Sequence, residues 1–208
     1  MKIRIAFLLL ITSIFSLAVS ANGNNSKGET GFLLSHGYSF LMNGQLDMYY
    51  IENPNAVIEF APFYRRNLNK LALKTEFTQR YVSSQYNFND DYHGRVVQSF
   101  VGMNLKCSYS EKGFDDRTFE LFLGAGIYTL YQKRVPDYFS GLKEIEDGFA
   151  PYWGLSIEAE FSYSIPVGKN RVGMAWRLFA MPNATFFNRK DTPEFYHMGT
   201  TLAMFTSF

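Results

Sequence analysis

Between residues 152 and 165 apolar and polar side chains alternate without interruption. Trp153, Leu155, Ile157, Ala159, Phe161, Tyr163 and Ile165 fall on one parity, and Gly154, Ser156, Glu158, Glu160, Ser162 and Ser164 on the other. A period of two is the strand period, because successive side chains of an extended chain point to opposite faces. The segment is therefore a strand with one wholly apolar face and one face of small or charged residues. The run 118–133 repeats the pattern, with Phe119, Leu121, Leu123, Ala125, Ile127 and Tyr131 opposite Glu120, Gly124, Gly126 and Gln132. Phe122, Tyr128 and Leu130 dilute its polar parity.

Six noisier runs, at about 30–42, 55–66, 70–86, 95–110, 170–186 and 195–208, bring the expected strands to eight. The run 70–86 sets Leu71, Leu73, Phe77 and Tyr81 against Lys74, Glu76, Thr78 and Arg80; 170–186 sets Val172, Met174, Trp176 and Leu178 against Arg171, Gly173 and Arg177. Residues 46–51 could extend a hairpin around Asn43-Gly44. Tight turns are expected near 67–69, 112–116 and 167–170, and longer segments near 43–54, 87–94, 134–149 and 187–194. Short and long connections in alternation, with an even strand count, are the arrangement of an outer-membrane barrel whose termini share the periplasmic side.

The N-terminus fits that destination. Met1-Lys2-Ile3-Arg4 precedes an apolar run from Ile5 to Ala18 and small residues at Val19-Ser20-Ala21. This is the layout of a secretory signal peptide, too short in its apolar part to span a bilayer as a helix. Cleavage after Ala21 leaves residues 22–208 as one domain and moves the formal charge from +1 to −1, since Lys2 and Arg4 depart without an acidic residue. A near-neutral chain has no electrostatic footprint for nucleic acid, so no direct nucleic-acid binding is expected. No later segment approaches 18 continuous apolar residues, so any membrane span must be made of strands.

Alternation alone does not separate a membrane barrel from a soluble ligand-binding one, whose apolar face points inward. Volume does. An eight-stranded barrel has room for little more than one layer of side chains, and the apolar faces here draw on 21 Phe, 14 Tyr and 2 Trp. They must face outward. The polar faces then meet in a narrow lumen, where Glu59, Glu76, Glu120, Glu158 and Glu160 are expected to meet Arg65, Lys74, Arg80, Lys106 and Arg177. Because lipid offers backbone groups no partners, such strands must close on themselves. Tyr64, Tyr81, Tyr109, Tyr131, Trp153, Tyr163 and Tyr196 lie near strand ends on the apolar parity, the place of interfacial aromatic girdles. The chain ends on Phe208, with Met204 and Leu202 on the same face, resembling the terminal strand of outer-membrane proteins; it departs from them at Thr206. The fold expected is all-β: a single antiparallel up-and-down transmembrane barrel of about eight strands in contact with outer-membrane lipid.

Candidate chemistry is sparse. The histidines are His36, His93 and His197, none in a recognisable catalytic or metal-binding motif. His197 is on the polar parity of the last strand, but residue 199, the next on that face, is Gly, so the serine a lipid-modifying barrel enzyme would need is missing there. The expected role of His197 is a lumenal hydrogen bond. Cys107 is the single cysteine, so there is no intramolecular disulfide and no redox pair. Glu158 and Glu160 could share a proton as a catalytic carboxylate pair, but opposite Arg and Lys they are expected to be ion-pair partners. Gly124-Ala125-Gly126 lies inside a strand and is no phosphate cradle. Neither a cofactor, a metal nor a catalytic set is expected.

Gly141-Leu142-Lys143-Glu144-Ile145-Glu146-Asp147-Gly148-Phe149, followed by Tyr152-Trp153-Gly154 and Glu158, resembles the conjugal transfer protein TraO family of Bacteroides conjugative elements. The likeness extends loosely from Leu71 to Phe208, through the strand 118–131 and a last strand containing Gly199, and departs at the Thr-Ser-Phe ending. It implies a non-enzymatic component of a DNA-transfer apparatus at the cell envelope, whose partners are other envelope or conjugation proteins. It supplies no binding residues. A lipid-modifying enzyme and a soluble exported ligand carrier are the alternatives.

Overall fold

In a computed structural model of the chain, the described residues are 28–42, 50–51, 54–68, 70–89, 92–109, 119–136, 148–181 and 196–208. Side chains are described at all of these except 41–42, 50–51, 84–89, 92–96, 131–136, 148–153 and 196. The signal-peptide region and the expected turn at 112–116 lie outside them.

The strands are β1 (Gly28–Met42), β2 (Tyr50–Ile51), β3 (Asn55–Leu68), β4 (Leu71–Asn89), β5 (Tyr92–Tyr109), β6 (Phe119–Pro136), β7 (Gly148–Val167), β8 (Asn170–Met181) and β9 (Tyr196–Ser207). Each long strand pairs antiparallel with its sequence neighbours, and β1 pairs β9 from Gly31↔Ser207 to Met42↔Tyr196. The result is a closed eight-stranded up-and-down barrel, with β2 as an added piece on β4 at Tyr50↔Asn87 and Ile51↔Tyr86. Closure continues past the last ladder pair: Thr30 N–H donates to Phe208 O at 3.1 Å, and Phe208 N–H to Thr30 O at 2.8 Å.

The alternation seen in the sequence becomes an inside and an outside. Trp176 is 50% exposed and its neighbour Arg177 is 1% exposed. Phe32, Leu34, Ile58, Phe60, Leu105 and Leu121 all face outward, whereas Glu59, Lys74, Glu76, Arg80 and Lys106 are buried. A soluble barrel has the reverse arrangement. The apolar parity therefore forms a continuous outer belt, the surface such a barrel turns toward lipid.

The lumen is layered. Toward the termini lie Leu33, Ala61, Phe63, Ala175 and Ala203, with Phe205 packed against them, and Ala72 with Phe122. Toward the opposite end lie Val57, Val82, Phe100, Tyr128, Leu130, Phe179 and Met181. The charged residues fill the space between. Several inward rings fit because each lies over a glycine directly across the ladder: Phe63 over Gly31, Phe179 over Gly199. This is the close approach that leaves no room for a Cβ.

Gly168 has φ +66°, the left-handed conformation required at the first position of a two-residue hairpin turn, and it joins Val167 to Asn170 where a tight turn is expected. Leu68↔Leu71 closes the other expected short turn. In the segment 87–94, expected to be a long loop, residues 87–89 and 92–94 are strand, with β4 and β5 paired to Asn89↔Tyr92 with one irregularity, and residues 90–91 lie outside the described set. Tyr86, Phe88 and Tyr92 favour extended structure, which outweighs the turn tendency of the Asn and Asp residues around them. Nine residues, 110–118, separate β5 from β6 on the terminal side, so connection lengths do not alternate strictly. Of 46–51, Tyr50–Ile51 is strand and 46–49 lie outside the described residues; β6 reaches Pro136 and β7 begins at Gly148, so the 134–149 connection is 137–147, and β8 is described to Met181, with 182–186 outside the described set.

Replacing Gly199 with valine puts a branched side chain where the Phe179 ring and the Tyr38 carbonyl already lie. We expect a loss of about 1–3 kcal/mol, read as a lower denaturant midpoint of the folded, heat-modifiable species. An unchanged midpoint would mean the ring does not hold that seam.

Candidate functional site

The lumen holds the densest polar constellation among the described residues, and all ten charged residues singled out in the sequence face it. They arrive from six strands: Glu59 and Arg65 on β3; Lys74, Glu76 and Arg80 on β4; Lys106 on β5; Glu120 on β6; Glu158 and Glu160 on β7; and Arg177 on β8. Strand periodicity puts i and i+2 on one face, so Lys74, Glu76 and Arg80 line one wall, and Glu158 and Glu160 stand side by side on another.

Eight of them form one network. Arg80 Nη2 is 2.5 Å from Glu59 Oε2 and 2.8 Å from Glu158 Oε1. Arg177 reaches Glu76 Oε2 at 2.6 Å and Glu158 Oε2 at 2.7 Å through Nη2, while its Nη1 pairs with Glu59. Lys106 Nζ lies 2.7, 2.9 and 2.9 Å from Glu76, Glu158 and Glu160. Lys74 Nζ spans Glu76 at 2.8 Å and Glu160 at 2.6 Å. Four carboxylates thus meet four cations, and none of these side chains is more than 4% exposed. Arg65 and Glu120 stand apart as a two-pronged pair at 2.7 and 2.6 Å nearer the termini, with Arg65 Nε also donating to Asn67 at 3.0 Å.

Neutral groups complete the network. Asn104 donates to Thr78 Oγ1 at 3.0 Å and Glu158 Oε1 at 3.1 Å, and accepts from Ser156 Oγ at 2.6 Å. The Arg80 guanidinium lies 3.8 Å from the Phe179 ring centre, and Lys74 Nζ 4.5 Å from that of Phe63. Cation–π contact of this kind compensates part of the hydration these ions lose. Asn104 and the five inward phenylalanines were not legible in the sequence as site residues; their parity is the only signal that places them.

What remains is space for water. One void beside Arg80, Phe100, Asn104 and Met181, and another at the terminal mouth beside Glu29, Arg65, Lys74 and Glu120, hold about 10 Å³ each, room for about one water molecule.

His197 is 1% exposed and meets Phe100 edge-on at 5.2 Å. Neither ring nitrogen has a hydrogen-bond partner among the described residues, so the expected lumenal hydrogen bond is not made. The reason is its layer: it sits among the apolar side chains above the ion pairs. His36 faces outward, and the side chain of His93 is not described. Cys107 is exposed on the outer face, and no group of His, Cys, Asp and Glu among the described residues could hold a metal.

On the outside, Tyr109, Tyr163 and Phe208 are exposed at the terminal end, where Tyr64 is partly buried. Tyr81 is exposed toward the other end, where the backbones of Tyr131, Trp153 and Tyr196 also lie; those three side chains are outside the described set. Phe161 and Trp176 stack at 5.6 Å, and Trp176 Nε1 donates to Thr200 Oγ1 at 2.6 Å.

Comparison with solved structures finds the outer-membrane protein OprG from Pseudomonas aeruginosa, at TM-score 0.50 and 10% identity, covering 88% of this chain and 97% of that one. Neisserial surface protein A is similar at TM-score 0.46 and 10% identity, covering 89% of this chain and all of that one. At this identity the likeness to OprG speaks for the closed barrel fold. No family model matches the chain, and no curated protein matches it significantly. The resemblance to the TraO family gains nothing from these comparisons, and residues 141–147, which carry much of it, lie outside the described set.

Replacing Arg80 with methionine leaves Glu59 and Glu158 each short of a partner. Breaking one partner of a buried ion pair costs about 3–5 kcal/mol. We expect Arg80→Met combined with Glu59→Leu to recover part of that loss in denaturant midpoint. A double variant as unstable as the sum of the two single ones would show that the pair is not coupled.

Proposed function

We propose that the chain is exported on a cleaved signal peptide, residues 1–21, and folds in the outer membrane as a plugged barrel that works through the surfaces it presents rather than by passing solutes or by catalysis. The observation that carries this reading is the inverted side-chain distribution: an apolar outer belt around a lumen filled by paired charges. A strand-built wall in hydrocarbon needs every backbone donor and acceptor satisfied, and closure of β1 on β9 does that. Aromatics near both strand ends agree with two interfacial girdles. An even number of strands brings both termini to the periplasmic side, so the end carrying 43–54, 90–91, 137–147 and 182–195 is extracellular.

The competing functions call for arrangements that the described residues do not make. A soluble carrier needs an apolar cavity inside and a polar surface outside. A lipid-modifying enzyme needs a nucleophile beside a histidine at the lipid face; His197 points into the lumen and its neighbour on that face is Gly199. The interaction role proposed for the extracellular segments and the periplasmic rim takes its conjugative setting from the sequence resemblance to the TraO family alone.

Three measurements test the reading. The protein is expected in the detergent-extractable membrane pellet with heat-modifiable gel mobility; recovery in the soluble fraction would sink it. In planar bilayers the purified protein is expected to show no large steady conductance, and serine at Glu59, Arg80, Glu158 and Arg177 together is expected to open one. A wild type that conducts like a porin ends the plug. Deletion of the gene is expected to lower conjugation frequency while leaving lipid A unchanged by mass spectrometry; altered lipid A would favour the enzyme.

A further inference from the structure

Polar side chains on the outer face differ in depth along the barrel axis, and strand register measures that depth. Followed once around the barrel from Gly28, through Arg66 and Leu73 to Leu178 and Thr200, the ladder pairs return to β1 at Tyr38, ten residues above the start. For eight strands such a stagger means a tilt of about 40°. Each residue then climbs about 2.5 Å along the axis, and each ladder step from β1 toward β3 and β4 climbs about 3 Å toward the extracellular end.

His36, Gln79 and Thr200 are all on the outward parity. Gln79 lies two ladder steps from Leu34, through Phe60, and Thr200 is opposite Tyr38, one step the other way. The three therefore share one depth to within about 2 Å. That depth is the middle of the apolar belt, about 12 Å from the level of Tyr64 and about 12 Å from that of the Tyr196 backbone, on the strands that flank β1. All three residues belong to one side of the barrel, the run β4–β3–β1–β9. At the same depth the opposite wall presents Met103, Ile127, Ile157 and Leu178.

A polar side chain in hydrocarbon is costly unless it finds a hydrogen-bond partner. Gln79 donates from Nε2 to the Tyr81 hydroxyl, and Thr200 accepts from Trp176 Nε1 at 2.6 Å. His36 has no hydrogen-bond partner among the described residues; its ring centre lies 6.0 Å from that of Tyr38. Leu34, Ile58 and Leu202 complete its surroundings on the outer face. A lysine or arginine can extend its charge toward the headgroups, but an imidazole at mid-belt is too short to do so.

We infer that this side of the barrel is an interface with a second copy of the same chain, related by a two-fold axis that runs along the membrane normal beside His36. An uncharged imidazole carries one donor nitrogen and one acceptor, so a second imidazole complements it. Two copies inserted in the same direction hold their His36 rings at the same depth, where an N–H of one donates to the bare ring nitrogen of the other. The same axis sets the β3 side of each copy against the β9 side of its partner. Ile58 and Phe60 of one copy then meet Thr200 and Leu202 of the other at matching depth. Such an isologous contact closes on two copies.

The inference rests on the membrane placement proposed above, and the test separates the two. The mature chain is labelled in two pools, with donor or acceptor dye, at Cys107, which is exposed on β5 away from this face. Both pools are reconstituted together in phosphatidylcholine vesicles, flotation is scored, and energy transfer is followed as lipid is added. Protein that does not float with the vesicles overturns the membrane placement and the dimer with it. Floating protein whose energy transfer falls to that of randomly placed monomers overturns the second copy alone and leaves His36 to a partner of another kind. With the dimer present, transfer persists on dilution, and His36→Leu raises the dissociation constant about tenfold, the effect of one hydrogen bond lost in lipid. His36→Gln keeps a donor and an acceptor and keeps the affinity. Leu178→Ala, at the same depth on the opposite wall, leaves it unchanged. Leucine at position 36 removes a polar group from hydrocarbon, so the variant retains heat-modifiable mobility and its lost transfer is not a folding defect. A His36→Leu variant that associates like wild type, or a Leu178→Ala variant weakened as much, overturns the assignment to this side.

Discussion

Strand β1 hydrogen-bonds β9 along its whole upper length, and the terminal pair Thr30–Phe208 fastens the last residue of the chain to the first strand. That closure fixes the remaining structure. Without it β1 and β9 would each expose a row of backbone donors and acceptors, each costing several kcal/mol in hydrocarbon. With it, the barrel is only eight strands around, and its interior is too narrow for water to hydrate charges that the strand period directs inward. The charges must therefore satisfy one another. Glu59 is held by Arg80 and Arg177, and Glu160 by Lys74 and Lys106.

A network of this kind is weak evidence for stability, because the cost of taking ions out of water can match what their attraction returns. Its clearer consequence is register. Sliding one strand by a single residue would turn its charges to the lipid and its Leu, Ile and Phe into the lumen. Glycines opposite inward rings act in the same direction, since Phe179 has room only over Gly199 and Phe63 only over Gly31. Ionic and steric complementarity thus select one alignment of a ladder whose backbone hydrogen bonds would tolerate several.

The parts legible in the sequence were those governed by period two. In β7 and β8 the inward and outward sets follow directly from alternation, and the inward charged set follows from the same parity. The lumenal layering was not legible, because Phe122, Tyr128 and Phe179 occupy the parity of the charges and nothing local tells an inward ring from a mistaken register. The β4–β5 hairpin misled for a different reason. Asn87, Asn89, Asp90 and Asp91 carry turn chemistry, but the strand is decided by its partner across the ladder, which one segment read alone does not contain. The orphaned hydroxyls of β1 and β9 were invisible for the same cause: Ser39 and Thr201 are unremarkable until the register shows that each faces a glycine.

That last point also limits what the interior can do. Elsewhere in the lumen Ser156 donates to Asn104 and Asn104 to Glu158. Among the described residues, Ser35, Ser39 and Thr201 on the closing seam are buried hydroxyls without such a partner. The two kinds of lumenal polarity therefore differ: the charges bind one another across the lumen, and the seam hydroxyls take no part in that network. The ionic layer thus lies between two apolar ones, and strand register decides which side chains each layer receives.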